Sequence, residues 1–404
     1  MTPALAPAGE SGDSTHGGKV RFGPAASLLA YIGLSIVACS SGSNVPSGQT
    51  PKPGQSAGTG AGSGSVLNVY NWADFIDPSV VSDFEREFGI KVNYDVYESN
   101  EMMEVKLLAG HANYDVVVPG GAFLEKEIRA GVYQKLRPAL LPNLKNLDAG
   151  ARLATAVYDP GNQYGVDYMW LVTTGLGYDV TRLKARLADA PLDSWRLLLD
   201  PDVAAKFRDC GISVLDAPQD VLGAALAFLG KDPNSESLDD LQSAEKILLA
   251  VRPYIRYVDS SRYIEDLANG EICLALGWSG DVVQARRRAH EAGKTVDIVY
   301  VIPKEGSLSI ADALTIPSDA PHPENAHLFI NFLLRPEVAA RNAMATSYAS
   351  GVAGSVRLLS DAARSDPAMY PPPEVRARLV AMRAKSQEFT RSLMRMWTRF
   401  KTGQ

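Results

Sequence analysis

The chain has 404 residues, 46% of them hydrophobic and 21% charged, an ordinary globular composition with enough apolar material for two cores. The formal net charge of -6 excludes the electrostatic footprint of a nucleic-acid-binding protein. A mildly acidic surface is compatible with small cationic ligands without implying them.

The first 65 residues differ from the rest. Residues 22–38, FGPAASLLAYIGLSIVA, are apolar and uncharged, and Lys19 and Arg21 precede them. The run is short for a membrane span and fits the hydrophobic part of an export signal. It closes in Ile36-Val37-Ala38-Cys39, which resembles a bacterial lipobox. Residues 1–38 are therefore expected to be a signal peptide and Cys39 the lipid anchor. The alternative is an uncleaved N-terminal anchor with an incidental cysteine. Residues 1–18 are long for the polar start of a signal, as they would be if the start site were assigned too early. Residues 40–65 are mostly Ser, Gly, Pro and Thr and cannot bury a core. With Cys39 they form a lipidated tether, 39–65, which would span about 25–30 Å as a flexible coil. The glycines from Gly58 to Gly64 precede the first strand, so they lack the context of a phosphate loop.

The fold signal starts at Val66. Residues 66–70, VLNVY, read as a buried strand. Asp77-Pro78 supplies an N-cap and a first-turn proline. Val80, Val81, Phe84 and Phe88 follow at helical spacing, and Gly89 stops the helix. Ile90, Val92, Tyr94 and Val96 alternate as in a strand. Ser99 caps a second helix that ends near Gly110, and residues 115–118 form a short apolar strand closed by Pro119. This is β-α-β-α-β, the pattern of a parallel sheet covered by helices. Further strands are expected at 210–215, 272–276 and 296–302, and further helices at 220–229, 240–251 and 324–334. Two such units predict an α/β fold with two lobes: 66–172 with 305–345 returning to it, and 173–304 with part of 346–404 packed on it.

Ligands in open α/β sheets sit beyond the carboxyl ends of strands. Trp72 follows strand 66–70, Trp278 and Asp281 follow strand 272–276, and Asp216 and Asp220 follow the strand that ends at Leu215. Asp312 follows the segment GSLSIAD, and Tyr348 lies in the loop TSYAS. A carboxylate satisfies an ammonium by charge and hydrogen bonding, and an aromatic face attracts a cation while packing against methylenes. A linear polyamine is complementary to such a set. Each residue also has a structural reading: Asp281 and Asp220 as caps of the helices that follow them, Trp278 as a core or hinge residue, Asp74 as a solvated turn residue. Residue types and spacing alone give a two-lobed α/β protein with an anionic, aromatic cleft.

Catalytic patterns are weak. His16, His111, His290, His322 and His327 are scattered, and the last two, five apart and without a cysteine, do not make a metal site. GWSGD is not a nucleophile elbow, and no GxxxxGK loop exists. No cofactor or metal is expected. Paired carboxylates leave one remote enzymatic reading, a wall-active lipoprotein glycosidase. Cys210 and Cys273 are compatible with a disulfide, which would restrict the unfolded chain by about 4 kcal/mol in the entropic model, or with two buried thiols.

Several segments together are recognisable: YNWADFIDP (70–78), FEREFGIKVNYDVYESNE (84–101), YDVVVP (114–119), YMWLVTTGLGYD (168–179), LDAPQD (215–220), YIEDLANGEICLALGWSGDV (263–282) and YPPPEVRARL (370–379). They run in family-like order over essentially all of 66–404, and the chain resembles the periplasmic polyamine-binding proteins of ABC importers, most closely the putrescine-binding type. The resemblance implies a type II solute-binding fold with a hinge and an interlobe cleft. It implies a monomer outside the cytoplasmic membrane, held by its lipid, that binds a polyamine and delivers it to a permease and ATPase complex, without catalysis. It implies ligand contacts at Trp72, Phe75, Asp220, Trp278, Asp281, Asp312 and Tyr348, and a Cys210–Cys273 bridge. The two tryptophans would sandwich the methylene chain and Asp281 would hold one ammonium. Departures stand beside this match. Ala73 replaces a family Ser, Phe75 a Tyr, Asp220 a Glu, Gly120-Gly121-Ala122 a Ser-Ala-Ser, and Ile310-Ala311 an aromatic pair. A cationic amine is the expected ligand; putrescine as its identity is not, and another amine or a sensing role stays open.

Overall fold

The computed structural model describes residues 66–403. The expected signal peptide (1–38), lipid-bearing Cys39 and tether (39–65) lie outside the described residues. β1 (Val66–Trp72) pairs in parallel with β2 (Lys91–Tyr97) and β3 (Val116–Val117), and the helices Pro78–Phe88 and Asn100–Leu108 connect them. The punctuation is local. The Asp77 carboxylate accepts from the Ser79 amide ahead of Pro78, Gly89 takes a left-handed φ of 66° at the other end, and the Ser99 hydroxyl accepts from the Met102 amide. β1 continues two residues past the expected 66–70, so Trp72 is its last residue.

The remaining strands are β4 (Gly165–Asp179), β5 (Ile212–Val214), β6 (Tyr257–Val258), β7 (Leu274–Trp278), β8 (Ile298–Val301), β9 (Ser307–Thr315), β10 (Ala349–Ser350) and β11 (Leu379–Ala381). The order is β2-β1-β3-β9-β4-β7-β5-β6, with β8 and β10 on β4 and β11 on β9. β4 belongs to both halves. Residues 165–173 pair with β9, and residues 174–179 pair with β7 and β8. Two apolar cores result. One gathers Leu67, Phe84, Val116 and Phe329; the other gathers Trp195, Phe207, Leu274 and Trp397. Trp278 packs against both.

β4 is buried along its length except at Trp170 and Leu171. Its pairing with β9 carries two register shifts, and Leu171, inside the second of them, has a φ of 56°. A left-handed non-glycine residue is strained by about 1–3 kcal/mol, and such strain tends to collect at functional segments. Here it falls where β4 passes from one core to the other.

Cys210 and Cys273 form a disulfide, with Cα atoms 5.6 Å apart. They precede β5 and β7, whose parallel register of Ile212 against Leu274 brings the two residues side by side.

Candidate functional site

A cleft of ≈ 800 Å³, partly open to solvent, is lined by residues of both cores. Trp72, Phe75, Asp220, Trp278, Asp281, Asp312 and Tyr348, all named from the sequence, line it. Trp72 and Trp278 reach it because each ends a strand, β1 and β7. Their rings stand 5.8 Å apart at 70°. Each indole is fixed through its N–H, Trp72 to the Val118 carbonyl at 3.0 Å and Trp278 to an Asp220 oxygen at 3.1 Å. A held ring presents its face at low entropic cost.

Asp281 sits in the first turn of the helix Ser279–Glu291, but it does not cap it. The N-cap position is Trp278, and the carboxylate takes the hydroxyls of Tyr263 and Tyr348, each at 2.7 Å. Burial pushes its carboxyl up to about 6 against the pull of those two hydroxyls. Gly280 permits this approach, since a Cβ there would lie 2.5 Å from the Tyr348 ring. Phe75 closes the same corner, its ring 5.0 Å from that of Tyr348.

Asp220 is likewise no cap. Ala217 holds that position of the helix Pro218–Phe228, and the Asp220 carboxylate accepts from the Thr174 hydroxyl and the Trp278 indole. Burial raises its pKa above the usual carboxylate range.

Asp312 differs from expectation in place. It lies within β9 rather than beyond a strand end, opposite Met169 at one of the register shifts. It is 4% exposed and accepts no side-chain or ion-pair donor among the described residues. Burial, then the charges of Asp220 and Asp281, push its carboxyl well above the ordinary value. Gly120 stands against it: a Cβ there would lie 3.4 Å from the Asp312 Oδ1, and glycine offers no hydroxyl.

The lining carries the acids Asp74, Glu98, Glu101, Asp220, Asp281 and Asp312 and no Lys or Arg. Only Asp74 meets a base, Arg288, at 3.2 Å, and Arg288 also pairs with Glu265. Buried acids without a counter-charge are costly unless they protonate or meet a cation. The walls therefore suit a ligand with positive charge at separated points and an apolar stretch between them. Asp216 falls outside this lining; Lys401 and the Trp397 indole hold it.

Residue-type reasoning missed Tyr263, Thr174, Tyr97 and Glu101. Tyr263 and Thr174 hold carboxylates from distant positions, and Tyr97 packs on Trp72 at 4.7 Å. No sequence period links Tyr263 to Asp281. For Tyr97 the signal existed, since it ends β2 beside the end of β1.

The model of the bacterial extracellular solute-binding protein family matches residues 79–371. The chain is 46% identical over 344 residues to the putrescine-binding periplasmic protein SpuD of Pseudomonas aeruginosa, covering 85% of this chain and 94% of that protein. It is 46% identical over 350 residues to the putrescine-binding periplasmic protein PotF of Escherichia coli, covering 86% and 94%. Among solved structures, a spermidine/putrescine ABC transporter protein of Listeria monocytogenes superposes with a TM-score of 0.76 at 31% identity, over 84% of this chain and 100% of that one.

Proposed function

Since the chain belongs to the bacterial extracellular solute-binding proteins, we propose that it captures a linear polyamine outside the cytoplasmic membrane and presents it to an ABC permease and ATPase complex. It is a binding subunit and performs no chemistry on its ligand. The observation that carries this reading is the cleft itself, acids on every side, no base in the lining, and a tryptophan from each core. One ammonium lies against Asp281 and the other between Asp312 and Asp220. The methylenes lie against Trp72 and Trp278, where a cation near the ring faces gains a further 0.5–2 kcal/mol or so.

The relatives named above are called putrescine-binding. Here the walls around the ammoniums have fewer hydroxyls: Ala73, Phe75 and Gly120 line or adjoin the cleft. The carboxylates are thus left as the main polar partners, and charge dominates over hydroxyl geometry in choosing the amine. Anchorage by a lipid on Cys39, which the lipobox-like Ile36-Val37-Ala38-Cys39 supports, completes the proposal together with a tether over 39–65 and a monomeric state.

Calorimetric titration with putrescine, cadaverine, spermidine, agmatine, arginine and glycine betaine tests it. One-to-one binding of a linear amine, with arginine and betaine inert, is the expected result. Tight binding of betaine or arginine with no response to any linear amine would overturn it.

A further inference from the structure

Tyr263 touches two of the proposed ligand contacts without being one. It opens the helix Tyr263–Asn269, is fully buried, and does not line the cleft. Its hydroxyl has two partners. It accepts from the Trp278 amide at 3.0 Å and donates to the Asp281 carboxylate at 2.7 Å. A backbone amide can only donate, so the single hydroxyl proton is committed to Asp281. The ring is seated as closely as the hydroxyl: a Cβ at Gly277 would lie 2.5 Å from it. One side chain therefore holds the end of β7 to the first turn of the helix Ser279–Glu291.

The other groups that face Asp281 come from separate elements. Tyr348 follows the helix Pro336–Thr346 and donates to the other carboxylate oxygen at 2.7 Å. Asp74 follows β1, and Arg288, which also pairs with Glu265, is on the helix of Asp281 itself. Asp312, on β9, feels the Asp281 charge. The two tyrosines differ in kind. Tyr348 belongs to the first core and lines the cleft. Tyr263 belongs to the second core, into which Val282 and Ala285 of the Asp281 helix also pack. Its bond to Asp281 is thus internal to one core. Burial raises the Asp281 carboxyl to about 6; the hydroxyls of Tyr348 and Tyr263 and the charge of Arg288 act against burial, and Asp74 adds to it. A donor held against a carboxylate favours its charged form, and a hydroxyl that itself accepts a hydrogen bond donates more strongly.

We propose that Tyr263 is a positioning residue of the cleft: by relaying the Trp278 amide to the Asp281 carboxylate, it fixes the tryptophan and the acid relative to each other and keeps the acid charged for an ammonium. The inference rests on the polyamine reading above. Tyr263→Phe keeps the ring against Gly277 and removes only the hydroxyl. Without that donor the Asp281 carboxyl holds its proton to higher pH, so the loss of affinity is largest in mild acid and shrinks as pH rises.

The test is calorimetry with putrescine and spermidine at pH 6 and pH 8.5 on wild type, Tyr263→Phe, Asp281→Asn and the double variant, with thermal unfolding of each to verify that it folds. Tyr263→Phe is expected to bind about fivefold more weakly than wild type at pH 6, with a clearly smaller deficit at pH 8.5. In the Asp281→Asn background that pH-dependent part of the deficit should vanish. A deficit equal at both pH values, no deficit at all, or a pH-dependent part that persists without Asp281 overturns this inference and leaves the polyamine reading intact. A wild type that binds neither amine overturns both.

Discussion

On the proposed reading, Asp281 serves binding at the expense of stability. Its carboxylate is 8% exposed and held by two tyrosine hydroxyls, with no base in direct contact. Asp281→Asn keeps an acceptor for one tyrosine and removes the buried charge. We expect diamine binding to weaken by about 1.5–3 kcal/mol, the scale of a hydrogen bond to a charged group, while the ligand-free protein melts no lower than wild type. Calorimetry and a melting curve on the same preparation check both parts. The pH dependence has a definite sign. The Asp281 carboxyl is raised by burial to about 6, so below that pH an ammonium must displace a proton, and amine affinity falls from pH 7 to pH 5. Tyr263, Tyr348, Asp74 and Arg288 are the titratable or charged groups that act on it. Asp312, raised well above its ordinary value, acts in the same sense: amine binding near pH 6, where the Asp281 carboxyl titrates, releases protons. Binding heats that do not vary with the ionisation enthalpy of the buffer would contradict this.

One helix, Ser279–Glu291, ties the cleft to the fold. Val282, Ala285 and Ala289 pack into the second core. The other side reaches the first core. Asp281 takes Tyr348, Gln284 donates to the Thr346 carbonyl at 3.0 Å, and Arg287 donates to the carbonyls of Met344 and Ala345 at 2.6 Å each. Those carbonyls end the helix Pro336–Thr346, where positive charge is favourable. Arg287→Met keeps the stem and loses the guanidinium. The expected cost is about 1.5–3 kcal/mol of unfolding free energy in urea, on the scale of hydrogen bonds to a charged donor. The elements differ in how legible they were. The β-α-β-α-β start was readable because Asp77, Gly89 and Ser99 punctuate it and its first helix, Pro78–Phe88, is amphipathic. β4 was not, because a strand buried on both faces has no alternation to read. Asp312 was misplaced for a related reason: its strand β9 is also buried almost throughout, so the sequence held no sign that it continued to Thr315. The carboxylates and tryptophans were nameable as types at strand ends, yet the tyrosines that orient Asp281 come from positions 263 and 348, which only the folded chain brings together.

For the whole molecule, β4 links two cores and the cleft takes walls from both. The disulfide lies within the second of them, closing a sequence separation of 63. Replacing Cys210 and Cys273 by alanine is expected to lower stability by about 2–4 kcal/mol, with amine affinity at 25 °C little changed because neither cysteine lines the cleft. A collapse of affinity in a folded double variant would show that the bridge shapes the site. Where the ammoniums sit decides the reading of the whole molecule. A crystal structure of the protein grown with putrescine is the most direct measurement. It should show the methylene chain against Trp72 and Trp278, one nitrogen within hydrogen-bond distance of Asp281 and the other beside Asp312 or Asp220. A diamine bound elsewhere, or one whose nitrogens meet none of these carboxylates, would contradict it.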